Sequence, residues 1–119
     1  MKLRIAALMA MASFLLPAFS ADTPSFPGGE KALEKYISDN MVYPSYSKEN
    51  GVEGVVTVGF IVATDGTLKD SKIMKPVDPD LEKEALRLVN GMPAWIPAEK
   101  DGTPIEAPSQ VKVPFILDD

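Results

Sequence analysis

The sequence predicts an α+β domain in which two helices pack on one face of a three-stranded antiparallel sheet, in the order αββαβ. Three observations support this prediction. Residues 30–40 and 78–92 repeat apolar side chains at helical spacing, and residues 55–63 and 110–117 alternate apolar side chains as strands do. The Asp65-Gly66 pair after the first strand indicates a hairpin, and therefore a second strand antiparallel to the first.

The first helix is predicted over Glu30 to Asn40. Its apolar residues recur at i, i+3, i+4 and i+8, which places them on a single stripe; they are Leu33, Tyr36, Ile37 and Met41. Tyr43-Pro44 ends the segment, because a residue that precedes proline is driven to extended geometry. One face of this helix should therefore meet the core.

The first strand has one bulky apolar face and one mixed face. The apolar face, which should meet the core, consists of Val56, Val58, Phe60 and Val62. Asp65-Gly66 predicts a tight turn in which both central residues have positive φ. The return strand, about Thr67 to Lys75, should contain a bulge, because Leu68 and Ile73 are an odd number of residues apart.

The second helix should begin at Asp78, as N-cap, with Pro79 at its first position. Gly91 is predicted to close it in a left-handed conformation, and Pro93 prevents continuation. Asp78, Asp80 and Glu82 at the start of this helix could alternatively form a cation site. Their alternate spacing points the side chains in different directions, which favours capping. Trp95 follows this helix and is predicted to fill part of the core, as large aromatic side chains usually do.

Residues 1–20 resemble a secretory signal peptide: Lys2 and Arg4 precede an apolar run, and small residues precede a predicted cleavage after Ser20. The expected product is periplasmic; the alternative is an uncleaved inner-membrane anchor. Residues 21–29 are predicted to be a short flexible leader and residues 30–119 the domain. Cleavage removes two of 12 basic residues and none of 17 acidic ones, so the net charge falls from −5 to −7. This charge argues against nucleic acid as a partner.

The composition also argues against a catalytic site or a metal site. The chain has no histidine and no cysteine, which excludes a histidine-assisted catalytic triad and most zinc sites. No phosphate-binding or calcium-binding loop is complete. We therefore expect no enzyme activity, no metal, no cofactor and no small-molecule substrate.

Pro114 lies within the last predicted strand. Proline cannot donate to a β-ladder, so its presence predicts an edge strand. An exposed edge accepts a foreign extended segment by main-chain hydrogen bonding. The alternative is that Pro114 only protects this edge from aggregation. If the edge binds a partner, proline at Val111 or Val113 is expected to abolish binding without unfolding the domain.

Several short stretches, in order and spacing, resemble the TonB C-terminal domain, most closely the stand-alone, Bacteroidetes-type members of that family. They are Tyr43-Pro44, Gly51–Val58, Asp65-Gly66, Leu81 with Glu84-Ala85-Leu86, Met92–Pro97 and Val113-Pro114-Phe115. The resemblance extends from Phe26 to Leu117. It implies an αββαβ domain whose last strand pairs with the box segment of a TonB-dependent outer-membrane transporter. By position, the partner-binding residues would be Gln110, Val111, Lys112, Val113, Pro114 and Phe115.

Other roles stay open at this point. The chain is alternatively a periplasmic adaptor or self-associating domain, or an inhibitor or accessory subunit of an envelope enzyme, with no direct role in transport. A homodimer through the same edge, or through exchange of the last strand, is a further alternative. Capture of a transporter segment is the expected function, linked to transmembrane nutrient transport.

Overall fold

A computed structural model describes residues 22–118. The helices are α1 (Glu30–Asn40), α2 (Ser45–Glu49) and α3 (Pro79–Asn90), and the strands are β1 (Gly54–Val62), β2 (Leu68–Ile73), β3 (Ala98–Lys100), β4 (Thr103–Ile105) and β5 (Ala107–Phe115). The predicted αββαβ order is confirmed for the main elements. The short helix α2 and the small hairpin β3–β4 were not predicted. The predicted signal peptide, residues 1–20, lies outside the described residues.

The main sheet is antiparallel, with the strand order β2-β1-β5, and β3 and β4 form a separate two-stranded sheet. The predicted core face of β1 is buried, and it packs in one cluster with both long helices and β5. The largest fully buried side chains are Phe115, Leu81, Leu88, Val56, Val58, Val62, Val89 and Val113. Among residues 22–118, both long helices, α1 and α3, therefore lie on this face of the sheet.

The hairpin between β1 and β2 differs from the predicted turn. Ala63 N–H donates to the Thr67 carbonyl at 2.8 Å, which closes a three-residue loop, and of the loop residues Gly66 alone has positive φ, 90°. The Asp65 carboxylate accepts from Thr67 N–H at 3.0 Å and from its hydroxyl at 2.7 Å. The prediction of positive φ at both central residues is therefore wrong. The predicted bulge is confirmed, and Asp70, with φ 56°, lies within it.

Helix α3 begins as predicted and ends differently. The Asp78 carboxylate accepts from the backbone N–H groups of Asp80 and Leu81, both at 3.1 Å, so the acidic first turn caps the helix. At the other end Gly91 has φ −96°, and the predicted left-handed cap is wrong. Gly91 N–H still donates to the Arg87 carbonyl at 3.1 Å, so its backbone keeps a right-handed conformation.

Trp95 fixes the segment after α3 to the rest of the domain. Its ring is 5% exposed and meets Phe26 and Phe60 edge-on, with centroids 5.9 and 5.1 Å away. Its backbone N–H donates to the Gly66 carbonyl at 2.9 Å. A Cβ on Gly66 would lie 2.2 Å from the Trp95 carbonyl oxygen, so the hairpin requires glycine here.

The packed domain extends into the predicted flexible leader. Ser25 and Ile96 exchange two backbone hydrogen bonds of 3.0 and 2.8 Å, and Phe26 is 7% exposed. An apolar ring removed from water and an isolated β-bridge hold this stretch against the core. Residues 25 and 26 therefore belong to the packed domain, whereas the sequence analysis placed them in a flexible leader of residues 21–29.

Glu84 joins α3 to the end of α1. It accepts from Arg87 Nε and Nη2, both at 2.7 Å, and from Val42 N–H at 2.7 Å, while Arg87 Nη2 also donates to the Asn40 carbonyl at 2.9 Å. Burial opposes ionisation of Glu84, but hydrogen bonds from Arg87 and Val42 outweigh it and hold the pKa of the carboxyl below its ordinary value.

The lowered pKa of Glu84 predicts a pH-dependent contribution to stability. A carboxyl whose pKa is lower in the folded state stabilises the fold above its unfolded pKa, about 4.3, and loses that effect as the pH falls through the folded pKa. Glu84→Gln should lower the free energy of unfolding by about 1–2 kcal/mol at pH 7, since half-exposed Arg87 is partly screened. Urea denaturation from pH 7 to pH 3 should show this difference shrinking below pH 4; a constant difference would contradict the assignment.

Candidate functional site: the free edge of β5 and the groove beside α1

Strand β5 is an edge strand. It pairs with β1 along its whole length, from Ala107 opposite Val62 to Phe115 opposite Gly54. Its other side has no strand neighbour among residues 22–118. The prediction that Pro114 marks a strand at the rim of the sheet is therefore confirmed.

The register shows which backbone groups of β5 face this free edge. Met74 N–H donates to the Thr57 carbonyl at 2.8 Å, so Thr57 bonds toward β2. Because successive residues of an antiparallel strand bond to opposite neighbours, the even-numbered residues of β1 bond to β5. Their partners, Val111 opposite Val58 and Val113 opposite Val56, therefore point their backbone groups inward. The even-numbered residues of β5 point outward.

These outward-facing residues are Pro108, Gln110, Lys112 and Pro114. Both prolines occupy positions where the missing N–H faces away from β1, so neither removes a hydrogen bond from the sheet. Between them, Gln110 and Lys112 each present one N–H donor and one carbonyl acceptor. The edge is therefore open at its centre and restricted at both ends. A short segment can pair here, whereas a long continuous ladder cannot.

The structure divides the predicted partner-binding residues into two sets. Gln110, Lys112 and Pro114 have outward backbone groups, and their exposed side chains lie on the face opposite the core. Val111, Val113 and Phe115 are 2%, 0% and 0% exposed and face the core. Proline at Val111 or Val113 would break the pairing with β1, so the expectation that such a substitution spares the fold is wrong.

An open groove of about 830 Å³ runs between α1 and the free edge of β5. One stripe of α1 and the residue that follows the helix, at i, i+3, i+4, i+7, i+8 and i+11, form its wall: Glu30, Leu33, Glu34, Ile37, Ser38 and Met41. Leu33 and Ile37 are buried at its base, whereas Glu30, Glu34 and Ser38 are exposed. The groove is thus apolar at its base and carries carboxylates along its rim.

Aromatic contacts fix the direction of α1 relative to β5. At one end, the rings of Tyr43, just after α1, and Phe115 lie 5.5 Å apart. At the other end, Phe26, just before α1, touches Trp95, which also touches Phe60, the residue of β1 opposite Ser109. Helix and strand therefore run parallel, with the acidic first turns of α1 beside Ser109 and Met41, just after the helix, towards Phe115.

Two tyrosine hydroxyls hold α1 and the segment that follows it. Tyr36 donates to the Leu88 carbonyl of α3 at 2.9 Å, and Tyr43 donates to the Val52 carbonyl. Burial raises the pKa of both tyrosines, so the hydroxyls stay protonated as donors at neutral pH. These two hydrogen bonds tie the helical wall of the groove to the rest of the domain.

Nothing in the described residues suggests a metal centre. Residues 22–118 contain no cluster of acidic side chains that would hold a metal ion, and none of their helices is long and apolar enough for a membrane span. Two buried polar atoms in this part of the chain lack a hydrogen-bond partner, Trp95 Nε1 and Ser47 Oγ. Trp95 lines one end of the groove. The site thus offers backbone groups, apolar surface and carboxylates.

A family model described as the Gram-negative bacterial TonB protein C-terminal matches residues 39–117. The chain belongs to this family. The matched residues include β1, β2, α3 and the whole of β5 with its free edge. The match begins at Asp39, so the acidic turns of α1 precede it.

Solved structures agree with the fold. One NMR solution structure of the Helicobacter pylori TonB C-terminal domain has a TM-score of 0.56 and 22% identity, covering 75% of this chain and 94% of that one. A second, of the same domain, has a TM-score of 0.50 and 23% identity, covering 72% and 78%. No curated protein matches the chain. At these identities the likeness supports the fold alone.

The sequence analysis missed Pro108 and the two groove-facing carboxylates of α1, Glu30 and Glu34. Pro108 stands six residues before Pro114, an even spacing that puts both prolines on the same edge of a strand. Glu30 and Glu34 extend the predicted apolar stripe of α1 with charge. Both signals are present in the sequence. The role of Pro108 follows from the register of β5 on β1, and that of the two carboxylates from the position of α1 beside β5.

Proposed function

We propose that this chain is a periplasmic binding module that captures a short extended segment of a TonB-dependent outer-membrane transporter by β-strand addition to the free edge of β5. In this way it would serve transmembrane nutrient transport. In TonB proteins the C-terminal domain interacts with such transporters, and it is a non-enzymatic interaction domain. The observation that carries the proposal is the outward-facing backbone of Gln110 and Lys112 between two prolines.

The edge supplies only part of the binding energy. Gln110 and Lys112 offer four backbone hydrogen bonds, and each contributes about 0.5–1.5 kcal/mol net. Ordering an extended segment opposes much of this gain. Side chains of the segment that enter the groove beside α1 would therefore decide affinity, since burial of apolar surface adds to the ladder.

Replacing Gln110 and Lys112 together with proline tests the proposal. Both N–H donors of the edge are removed, while the bonds to β1 are unaffected, so we expect affinity for transporter segments to fall at least about tenfold. Isothermal titration calorimetry with synthetic peptides from the N-terminal segments of the organism's TonB-dependent transporters measures this.

The matched control replaces the same two residues with alanine. This variant changes both side chains and keeps both backbone donors, so binding should persist. Circular dichroism should show both variants folded. Equal affinity of the proline variant and the unaltered protein would exclude strand addition at β5.

The periplasmic location is a separate proposal, based on the signal-like residues 1–20. Cleavage after Ser20 would give an exported protein that begins at Ala21. N-terminal sequencing of the protein from an envelope fraction decides the point. A chain that begins at Met1 would support the inner-membrane anchor instead.

A further inference from the structure

We propose that the segment captured at β5 carries a lysine or arginine that faces the first two turns of α1, followed along the groove by apolar side chains that face its last turns. This rests on the proposed strand addition and specifies the partner's chemistry. The residues responsible are Glu30 and Glu34 at one end of the groove and Ile37 and Met41 at the other.

A strand added to β5 continues the sheet, so every second side chain points to the face on which α1 lies. Successive side chains of this set are about 6.6–6.8 Å apart, and one turn of α1 rises about 5.4 Å. The two spacings differ by about 1.3 Å per step, so three or four such side chains along a helix parallel to β5 pass from its first turn to its end. The contacts therefore proceed from Glu30 and Glu34, through Ile37, to Met41.

Glu30 and Glu34 are exposed and stand one turn apart on the groove-facing stripe, where their like charges repel. Neither has an ion-pair partner among residues 22–118; the neighbouring Lys35 pairs with Asp39 at 2.8 Å. Lys112 of β5 also lines the groove, but it alternates with the inward-facing Val111 and Val113, so its exposed side chain lies on the opposite face of the sheet. A cation between Glu30 and Glu34 would relieve the repulsion.

The apolar half of the groove completes the pattern. Met41 and Tyr43 are half-buried, and Ile116 is 63% exposed at the same end. An apolar side chain placed between them removes surface from water on both partners. The groove thus discriminates along its length, with charge recognised beside Ser109 and apolar side chains beside Phe115.

Designed peptides test this pattern independently of any natural partner. We would use an alternating valine–serine peptide in which one valine at a time is replaced by lysine, glutamine or glutamate. At one position lysine should bind roughly three- to tenfold more tightly than glutamine, and glutamate more weakly still, at low salt. Fluorescence anisotropy at low and high salt measures this, and high salt should remove the preference.

Substitutions in α1 assign the preference to the two carboxylates. Glu30→Gln with Glu34→Gln should abolish the lysine preference, and Glu30→Lys with Glu34→Lys should reverse it. The control is Glu49→Gln with Glu99→Gln, which makes the same change in net charge away from the groove and should leave the preference intact.

The outcomes separate the two proposals. Peptides that bind, lose affinity with proline at Gln110 and Lys112, and show no charge preference would overturn only the specificity. Peptides that fail to bind, or that bind equally to the proline variant, would overturn strand addition and the specificity together. A third outcome is a dimer that dissociates when Gln110 and Lys112 are replaced by proline but is unaffected by the peptides. This result would assign the groove to a second copy of the chain and overturn the proposal.

Discussion

Replacing Trp95 with alanine is expected to lower the free energy of unfolding by about 3–5 kcal/mol, the usual range for truncating a buried aromatic side chain. The ring is 5% exposed and packs between Phe26 and Phe60, so alanine would leave a cavity bordered by the start of the domain and by β1. Small domains have total stabilities of about 5–15 kcal/mol. Urea denaturation should therefore show a large fall in the transition midpoint.

Trp95→Phe is the matched control. The indole N–H has no hydrogen-bond partner among the described residues, so phenylalanine removes ring volume without breaking a hydrogen bond. We expect it to cost about 1–2 kcal/mol, well below the cost of alanine. If both substitutions had equal effects, the stabilising role of the ring contacts would be contradicted.

Local signals explain why the main elements were predictable from sequence. The stripe of α1 and the alternation of β1 are each set by residues within one element, and the predicted bounds of α1 agree with the structure. The Asp78 cap is also local, because its hydrogen-bond partners lie within three residues. The helix α2 and the strands β3 and β4 have five, three and three residues, too few to show a period.

The two backbone predictions that were wrong depended on hydrogen bonds outside the patterns used. The Asp65 carboxylate bonds to Thr67 and supports a three-residue loop, which leaves positive φ to Gly66. Gly91 remains bonded to the Arg87 carbonyl, and Pro93 supplies the stop two residues later. A glycine in the sequence permits a left-handed conformation, but its neighbours decide whether the chain adopts it.

The site was predictable only in part, for a similar reason. Pro114 by itself indicates an edge strand, because a proline in a central strand loses a ladder hydrogen bond. Which residues face that edge follows from the pairing of β1 with β2, on the far side of the sheet. The groove requires α1 to lie alongside β5, and nothing local to either element reports this. The sequence analysis therefore treated residues 110–115 as a single partner-binding set. In the fold, the even-numbered residues face the free edge and the odd-numbered residues face β1 and the core.

Val113→Pro and Lys112→Pro are expected to have opposite effects on stability, although they are adjacent. Val113 is fully buried and its backbone bonds inward to Val56, so proline would remove a ladder hydrogen bond, crowd β1 and leave a core position poorly filled. We expect a loss of at least about 3 kcal/mol, enough to unfold much of a small domain.

At Lys112 the N–H faces the free edge and the side chain is exposed, so proline removes nothing that holds the fold together. The strand already accommodates Pro108 and Pro114 in the same orientation, so we expect a change within about 1 kcal/mol. Thermal denaturation of the two variants measures this contrast. A stable Val113→Pro protein, or an unfolded Lys112→Pro protein, would mean that the inward and outward residues of β5 are reversed. The edge available to a partner would then carry Val111 and Val113, and the proposed capture would require a different register.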